Sequence, residues 1–206
     1  MYRSNRYSDL ADARARVNIP VSHISPKEAA EMICADYEGD KWTADAERLD
    51  INGIQATIYN EVAIFRGSND RRDWCRNLLV SPSVLLGDSG KWWVHGALVN
   101  AQTNYAFLKG KRVKLIIGHS AGGPSAQIVG YSLGIAVWTF ASPRALYWGT
   151  PVLKAPQRHY LIANDPIRHF YPFAKFIGDV EMLPPHPGKT LASRHRGRAY
   201  LEALSA

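Results

Sequence analysis

Cysteine is scarce in this 206-residue chain, which contains only Cys34 and Cys75. Each lies in a stretch with helical character, and so few thiols cannot form the disulfide framework that holds small secreted domains together. We therefore expect both thiols to be reduced and buried. The fold must instead rest on an apolar core, and a hydrophobic content of 46% is enough to build one in a single domain spanning residues 1–206.

The sequence also lacks any apolar run long enough to cross a bilayer. Its first residues, MYRSNRYSDLAD, are polar and do not lead into the hydrophobic segment of a signal peptide. We therefore expect no transmembrane segment and no signal peptide in this sequence. The protein is then expected to be cytoplasmic, or released by a route that the sequence does not reveal, and its oligomeric state is left open.

Acidic residues are fewer than basic ones, with 18 Asp and Glu against 25 Lys and Arg and a formal charge of +7. Such a surplus favours anionic partners, for example acidic lipid surfaces. The basic residues are scattered, apart from Arg194, Arg196 and Arg198, and no known nucleic-acid-binding module accompanies them. We therefore expect no binding to nucleic acid.

Apolar runs alternate with helical patterns along the chain. Helices are expected over residues 26–35, capped by Ser25 with Pro26 in the first turn, and over residues 94–108. Alternation of this kind indicates an α/β fold, with a mostly parallel twisted sheet, helices on both faces and the chemistry at the carboxyl ends of the strands. The expected strands lie at residues 51–59, 61–65, 113–117, 135–140 and 159–163.

The most informative segment is GHSAGG at residues 118–123, because an apolar strand precedes it and a helical pattern follows it. In that setting GxSxG is typical of a nucleophile elbow, a strained turn that holds a serine above the sheet edge. Glycines flank such a serine because a Cβ would collide with the strand or the helix. Ser120 is therefore the candidate nucleophile, and its neighbour His119 is expected to pack beneath it.

A serine hydroxyl becomes a nucleophile only when a base removes its proton and an acid orients that base. In an α/β fold with a nucleophile elbow, the acid and the base both follow the serine in the sequence, and the acid comes before the base. Asp165 is the candidate acid because it directly follows an apolar strand, whereas Asp179 lies inside a partly exposed one. His186 and His195 are the candidate bases, since both lie in loops that can reach the site, and spacing alone does not separate them.

Six short blocks occur in the order IFRGS at 64–68, VHGA at 94–97, GHSAGG at 118–123, TFASPR at 139–144, NDPI at 164–167, and His195 with Tyr200. Together they resemble the ordered motifs of the lipase class 3 family, the fungal-type triacylglycerol lipases. The resemblance covers most of the chain from about residue 50 onward. The segment 1–50 lies outside it and is expected to be a helical N-terminal extension.

The resemblance implies an α/β-hydrolase fold with a Ser-His-Asp triad. By this resemblance Ser120 is the nucleophile, Asp165 the orienting acid and His195 the base. The choice of His195 over His186 rests on the aromatic Tyr200 that follows it five residues later, as in the family. No metal and no organic cofactor is expected.

Two further features follow from the same resemblance. The oxyanion donors would be the backbone N–H and hydroxyl of Ser68 and the backbone N–H of Ala121. The amphipathic stretch 71–79 resembles the family's lid, with Trp74 and Leu78 as candidate lid or substrate contacts. The alternative is a fixed helix whose Trp74 packs permanently into the core.

These expectations predict a serine carboxylic ester hydrolase, a lipase or esterase, that cleaves lipid-like acyl esters through an acyl-enzyme. The expected partners are ester or lipid substrates, together with transient contact with a lipid surface. A phospholipase or acyl transferase with the same triad is the alternative within enzymes. A non-catalytic lipid-surface binding protein is the alternative from another class. The residues do not determine the acyl-chain length or the alcohol group of the substrate.

Overall fold

The computed structural model describes residues 24–39, 46–67, 84–87 and 90–206. Several predictions fall on other parts of the chain. The lid helix expected over residues 71–79, with Trp74 and Leu78, lies outside the described residues, as do the candidate oxyanion residue Ser68 and the thiol of Cys75. These remain predictions.

Ten strands within the described residues form two sheets. The strands are β1 (Glu47–Ile51), β2 (Ile54–Tyr59), β3 (Val62–Arg66), β4 (Val84–Leu86), β5 (Trp92–Val94), β6 (Leu115–His119), β7 (Ala136–Phe140), β8 (Leu146–Trp148), β9 (Gln157–Ile162) and β10 (Asp179–Leu183). The main sheet has the order β1-β2-β3-β6-β7-β9-β10, and a smaller sheet has the order β4-β5-β8. Neighbouring strands from β3 to β10 in the main sheet run parallel, whereas β1, β2 and β3 pair antiparallel.

The strand predicted over residues 51–59 is wrong at its beginning. The chain reverses at Asn52 and Gly53, which both adopt left-handed backbone angles with φ of 51° and 79°. Two consecutive left-handed residues form a tight hairpin turn, and Asn-Gly is the dipeptide that forms it most readily. Ile51 therefore ends β1 and pairs with Ile54 at the start of β2.

The helices agree closely with the sequence pattern. The predicted helix over residues 26–35 is confirmed and continues to residue 38, and its first turn carries a capping box in which Ser25 and Glu28 each accept a hydrogen bond from the other's backbone N–H. No helix within the described ranges is long and apolar enough to span a membrane. The helices are α1 (Pro26–Glu38), α2 (His95–Leu108), α3 (Gly122–Leu133), a 3₁₀ helix (Pro166–His169), α4 (Leu191–His195) and α5 (Gly197–Ala203).

Alternating side chains of the central strands bury the two faces of the main sheet. In β3, Ala63 and Phe65 pack into the core that contains α2 and α3. Val62 and Ile64 point the other way, into the core that contains α1 and α5. Since both faces are covered by helices and five strands run parallel, the predicted fold class of a mostly parallel α/β sheet is confirmed.

The small antiparallel sheet was not predicted. Its strands have only three residues each, too few for the alternation of apolar and polar residues to stand out. It turns adjacent tryptophans to opposite sides, so that Trp93 is 1% exposed and Trp92 is 39% exposed. Cys34 in α1 is a free thiol, as expected, but it is half-buried rather than fully buried.

His159 is a neutral histidine inside the sheet. The Thr139 hydroxyl donates to its Nδ1 at 2.8 Å, and its Nε2–H donates to the Ile177 carbonyl at 2.8 Å. Burial lowers the pKa of His159 from 6.5 to about 4. The unfolded chain therefore binds a proton at this ring between pH 6.5 and 4 that the folded protein does not, and stability is lost as the pH falls through this window.

We predict that His159→Gln removes this contribution, because an amide side chain offers a donor and an acceptor without titrating. The wild type should exceed the variant in free energy of unfolding at pH 7, and this advantage should shrink by about 2 to 3 kcal/mol by pH 4. Urea unfolding at pH 7, 5.5 and 4 measures the difference. An advantage of the same size at all three pH values would contradict the prediction.

Candidate active site

Ser120 lies at the sharp turn between β6 and α3. Its φ of 54° is in the left-handed region, which a residue with a side chain occupies at a cost of about 1 to 2 kcal/mol. Two backbone hydrogen bonds hold the turn: the Ser120 N–H donates to the Phe140 carbonyl at 3.1 Å, and the Gly123 N–H donates to the Ser120 carbonyl at 3.0 Å. The strand, strained turn and helix predicted for the elbow are therefore all present.

The glycines around Ser120 are required by close packing. A Cβ on Gly122 would lie 2.4 Å from the Phe65 carbonyl oxygen, and one on Gly118 would lie 2.8 Å from the Ala126 Cβ. Real Cβ atoms are not found that close to other heavy atoms. The first turn of α3 can therefore lie directly against the end of β3 and against β6 only because these positions lack side chains.

His195 contacts the Ser120 hydroxyl directly. The distance between Ser120 Oγ and His195 Nε2 is 2.7 Å, and both side chains are nearly inaccessible to solvent. The sequence predicted a loop here, whereas His195 is the last residue of the short helix α4, which Thr190 caps at its start. The helix α4 is less than two turns long, and the Thr190 cap fixes its start. It thereby holds the His195 imidazole at a defined place above the sheet.

Asp165 completes the line on the other side of His195. It follows β9 and is fully buried, and its Oδ2 accepts a hydrogen bond from His195 Nδ1–H at 3.0 Å. Its other oxygen, Oδ1, accepts from the Ile167 N–H at 3.1 Å. Because the carboxylate can only accept from the ring, His195 keeps its proton on Nδ1 and turns the lone pair of Nε2 toward Ser120.

Tyr200 of α5 provides a third donor to the same carboxylate. Its hydroxyl donates to Asp165 Oδ2 at 2.9 Å and accepts from the Ile162 N–H at 3.2 Å, which fixes the direction of the hydroxyl proton. Burial, reinforced by the Asp165 charge, raises the pKa of Tyr200 well above its usual value. A buried carboxylate needs several donors to offset its lost hydration, and Asp165 has them.

His186, the other candidate base, lies elsewhere. Its Nε2 is 3.0 Å from Glu202 Oε2, and its backbone exchanges two hydrogen bonds with the Asn164 side chain. These contacts hold the loop between β10 and α4 to the turn before Asp165. The structure therefore brings His195, and not His186, into line with Ser120 and Asp165.

Gly67, the residue before the predicted oxyanion donor Ser68, lies close to Ala121 at the start of α3. A Cβ on Gly67 would be 2.7 Å from the Ser120 Cβ and 3.1 Å from the Ala121 backbone nitrogen, so the chain just before Ser68 passes close to both. The N-terminus of α3 adds the positive end of a helix dipole at this place. The roles of Ser68 and Ala121 as oxyanion donors remain predictions.

Two further polar side chains lie near the site. His119, predicted to pack beneath Ser120, also hydrogen-bonds the His195 backbone, and Tyr37 of α1, which no sequence pattern indicates, hydrogen-bonds His119. Tyr37 belongs to the N-terminal segment that carries none of the motifs. The contact joins residues 82 positions apart, so no local pattern could have indicated it.

Within the part of the chain that the structure describes, no group of three or more His, Cys, Asp or Glu residues is arranged to hold a metal ion. A cleft of about 580 Å³ is lined by Trp93, Tyr105 and Tyr131, among others, and by none of the three aligned side chains.

We predict that Ser120→Gly is more stable than Ser120→Ala by about 0.5 to 1 kcal/mol, because glycine adopts a φ of 54° without strain. Both variants lack the hydroxyl, so the comparison isolates the backbone. Chemical denaturation of the two proteins side by side measures it. An alanine variant at least as stable as the glycine variant would show that the elbow is not strained.

Two solved structures of fungal lipases are similar in fold to this chain. "Rhizomucor miehei lipase propeptide complex, native" has a TM-score of 0.55 and 17% sequence identity, over 88% of this chain and 70% of that chain. "Lipase II from Rhizopus niveus" has a TM-score of 0.49 and 16% identity, over 79% of this chain and 75% of that chain. No protein-family model and no curated protein sequence matches the chain. The resemblance to fungal-type lipases is thus confirmed at the level of the fold, which is the α/β fold of those enzymes.

Proposed function

We propose that this protein is a serine carboxylic ester hydrolase that cleaves lipid-like acyl esters through an acyl-enzyme. The observation that carries the proposal is the unbroken line from Ser120 Oγ to His195 Nε2 at 2.7 Å and from His195 Nδ1 to Asp165 Oδ2 at 3.0 Å. The line starts at a strained elbow and lies at the carboxyl ends of parallel strands, where α/β folds carry their chemistry.

In the first half of the reaction, His195 Nε2 takes the proton of the Ser120 hydroxyl as its oxygen attacks the ester carbonyl carbon. The attack forms a tetrahedral intermediate with a negative oxygen, and the imidazole becomes positively charged. Asp165 stabilises that charge through the bond to Nδ1–H, while Tyr200 and the Ile167 N–H hold the carboxylate in place.

The negative oxygen of the intermediate needs donors that are in place before it forms. The Ala121 N–H at the start of α3 and the N–H and hydroxyl of Ser68 are assigned this role. Such preorganised donors each contribute on the order of 3 kcal/mol to transition-state stabilisation. The close approach of Gly67 to Ala121 supports the assignment, because it brings the chain that leads into Ser68 beside the same spot.

The first half ends when the tetrahedral intermediate collapses and the C–O bond to the alcohol breaks. The alcohol leaves with the proton held by His195, and the acyl group stays on Ser120. Water then enters, His195 removes its proton, and the hydroxide attacks the acyl carbonyl. The second tetrahedral intermediate collapses, the bond between the acyl carbon and Ser120 Oγ breaks as the proton returns from His195 to Oγ, and a carboxylic acid departs.

The substrate is assigned to the lipid-like esters because the fold is that of fungal lipases. In this proposal the segment 71–79 covers the site in water and moves aside at a lipid surface, and Trp74 and Leu78 then contact the acyl chains. Turnover that rises when the substrate aggregates is the signature of such a lid.

We predict hydrolysis of p-nitrophenyl esters by the wild type and a loss of about 10⁴-fold or more in Ser120→Ala. The assay covers short to long acyl chains, below and above the aggregation point of each ester. Labelling by an alkyl fluorophosphonate, followed by mass spectrometry, should modify Ser120 alone. Absence of turnover and label in the wild type, or turnover unchanged in the variant, would contradict the proposed function.

We predict that the two candidate bases respond differently to the same substitution. His195→Gln should lower kcat by about 10³-fold or more, because no group then removes the Ser120 proton. His186→Gln should stay within about twofold of the wild type, since His186 contacts Glu202 and Asn164 rather than the nucleophile. Steady-state kinetics on a soluble short-chain ester compares them, and the reverse ranking would overturn the assignment of the base.

A further inference from the structure

A chain of hydrogen bonds connects the N-terminal helix α1 to the backbone of His195. In the last turn of α1, the Tyr37 hydroxyl accepts a hydrogen bond from the Gly67 N–H at 2.8 Å. The same hydroxyl lies 2.9 Å from His119 Nδ1, and His119 Nε2 lies 3.0 Å from the His195 carbonyl oxygen. The mechanism above uses neither Tyr37 nor His119.

The direction of every bond in this chain is determined. The Gly67 N–H can only donate, and the His195 carbonyl can only accept, so His119 carries its proton on Nε2. Burial, together with the nearby His195, lowers the pKa of His119 from 6.5 to about 3, so the ring is neutral and its Nδ1 is an acceptor. The Tyr37 hydroxyl therefore accepts from Gly67 and donates to His119, and each ring nitrogen of His119 has one partner.

The chain of hydrogen bonds begins beside the proposed nucleophile and ends at the proposed base. Gly67 approaches the nucleophile so closely that a Cβ there would be 2.7 Å from the Ser120 Cβ, and the next residue is the expected oxyanion donor Ser68. At the other end is the backbone of the base, His195. One hydroxyl group therefore connects the segment beside the nucleophile with the residue that activates it.

The ring of Tyr37 is held independently of its hydroxyl. It packs edge-on against the His119 ring at 5.3 Å between centroids, and the Arg66 guanidinium lies over its face at 5.5 Å. The same guanidinium donates to the Asp36 carbonyl at 2.8 Å, which joins the end of β3 to the end of α1. A phenylalanine ring can keep the ring contacts, so Tyr37→Phe tests the hydroxyl alone.

Helix α1 also supports the segment that follows the base. A Cβ on Gly197 would lie 3.0 Å from Ile33 Cγ2 and 3.4 Å from Cys34 Sγ, so the start of α5 sits directly on α1. His195 is thus connected to α1 twice, through His119 and through the backbone two residues later.

We propose that Tyr37 is a positioning residue for the proposed reaction: its hydroxyl, acting through Gly67 and His119, holds the segment beside the nucleophile and the backbone of His195 at their working separation. This inference rests on the proposed function. It assigns to the N-terminal extension, which carries no catalytic motif, a part in the chemistry of the site.

Removal of the hydroxyl leaves the Gly67 N–H and His119 Nδ1 without partners in a buried setting, so both segments shift to find others. A displacement of the order of 1 Å at a catalytic group is enough to lower a rate about 100-fold. We therefore predict that Tyr37→Phe lowers kcat by about 10- to 100-fold and leaves KM within about twofold, because the groups that bind substrate are unchanged.

The matched control is Tyr131→Phe, near the end of α3 and more than two helical turns from Ser120. For both variants we measure the kinetics on a soluble short-chain ester and the rate of Ser120 labelling by a fluorophosphonate. Circular dichroism and thermal unfolding report on the fold. Slower turnover and slower labelling in Tyr37→Phe, with the fold intact and the control like the wild type, is the expected result. A Tyr37→Phe rate within twofold of the control, or a lower melting temperature with unchanged kcat, would overturn the inference.

A double-variant cycle with His119→Gln tests the route. The loss caused by Tyr37→Phe should shrink in the His119→Gln background, whereas fully additive losses would overturn the route through His119. Should His119→Gln fail to fold, the ¹⁵N resonance of His119 Nδ1 replaces the cycle: it should move in Tyr37→Phe, and an unmoved resonance would overturn the route. A wild type with neither turnover nor label would overturn the proposed function and this inference with it, a result distinct from an active wild type with an equally active Tyr37→Phe.

Discussion

The left-handed turn at Ser120 is the constraint on which the rest of the site depends. It ends β6 and starts α3 with no intervening loop, so the helix must descend against the sheet at once. That is possible because Gly118 and Gly122 leave room for the carbonyl oxygen of Phe65 and the methyl group of Ala126. The hydroxyl is thereby raised above the sheet edge, where His195 at the end of α4 contacts it.

The second requirement of the proposed mechanism is a buried carboxylate held against His195. Asp165 is completely enclosed, and taking a charge out of water is costly unless donors replace the lost hydration. Three donors do so, from His195, Tyr200 and the Ile167 N–H. Two of them come from the C-terminal segment, so the last helices of the chain supply both the proposed base, His195, and a second donor to the carboxylate that contacts it.

Helix α1 covers the face of the main sheet on which α5 also packs. Its apolar residues share a core with α5, and Tyr37 in its last turn reaches the elbow. Helices α1 and α5 thus pack against each other in one core. A segment without any catalytic motif in this way contacts the surroundings of His195, through His119 and through the close approach of Gly197 to Ile33.

The sequence by itself determined the features that depend on neighbours along the chain. The capping box of Ser25, the strand and turn that lead to Ser120, and the position of Asp165 after a buried strand all follow from local patterns, because caps, turns and strand ends are made by adjacent residues. The Asn-Gly turn at residues 52–53 is also a local pattern, and it contradicts the prediction of one continuous strand over residues 51–59.

Tertiary structure alone decided what depends on residues far apart in the chain. Spacing in the sequence does not separate His186 from His195, and only the resemblance implies His195. The contact of His195 with Asp165 itself depends on the packing of α4 and α5 on the sheet. The pairing of β5 with β8 places Trp92 opposite Trp148, and strands of three residues each carry no pattern that indicates such a distant partner. The contact of Tyr37 with His119 spans 82 positions, and no spacing rule joins two such residues before the sheet has formed between them.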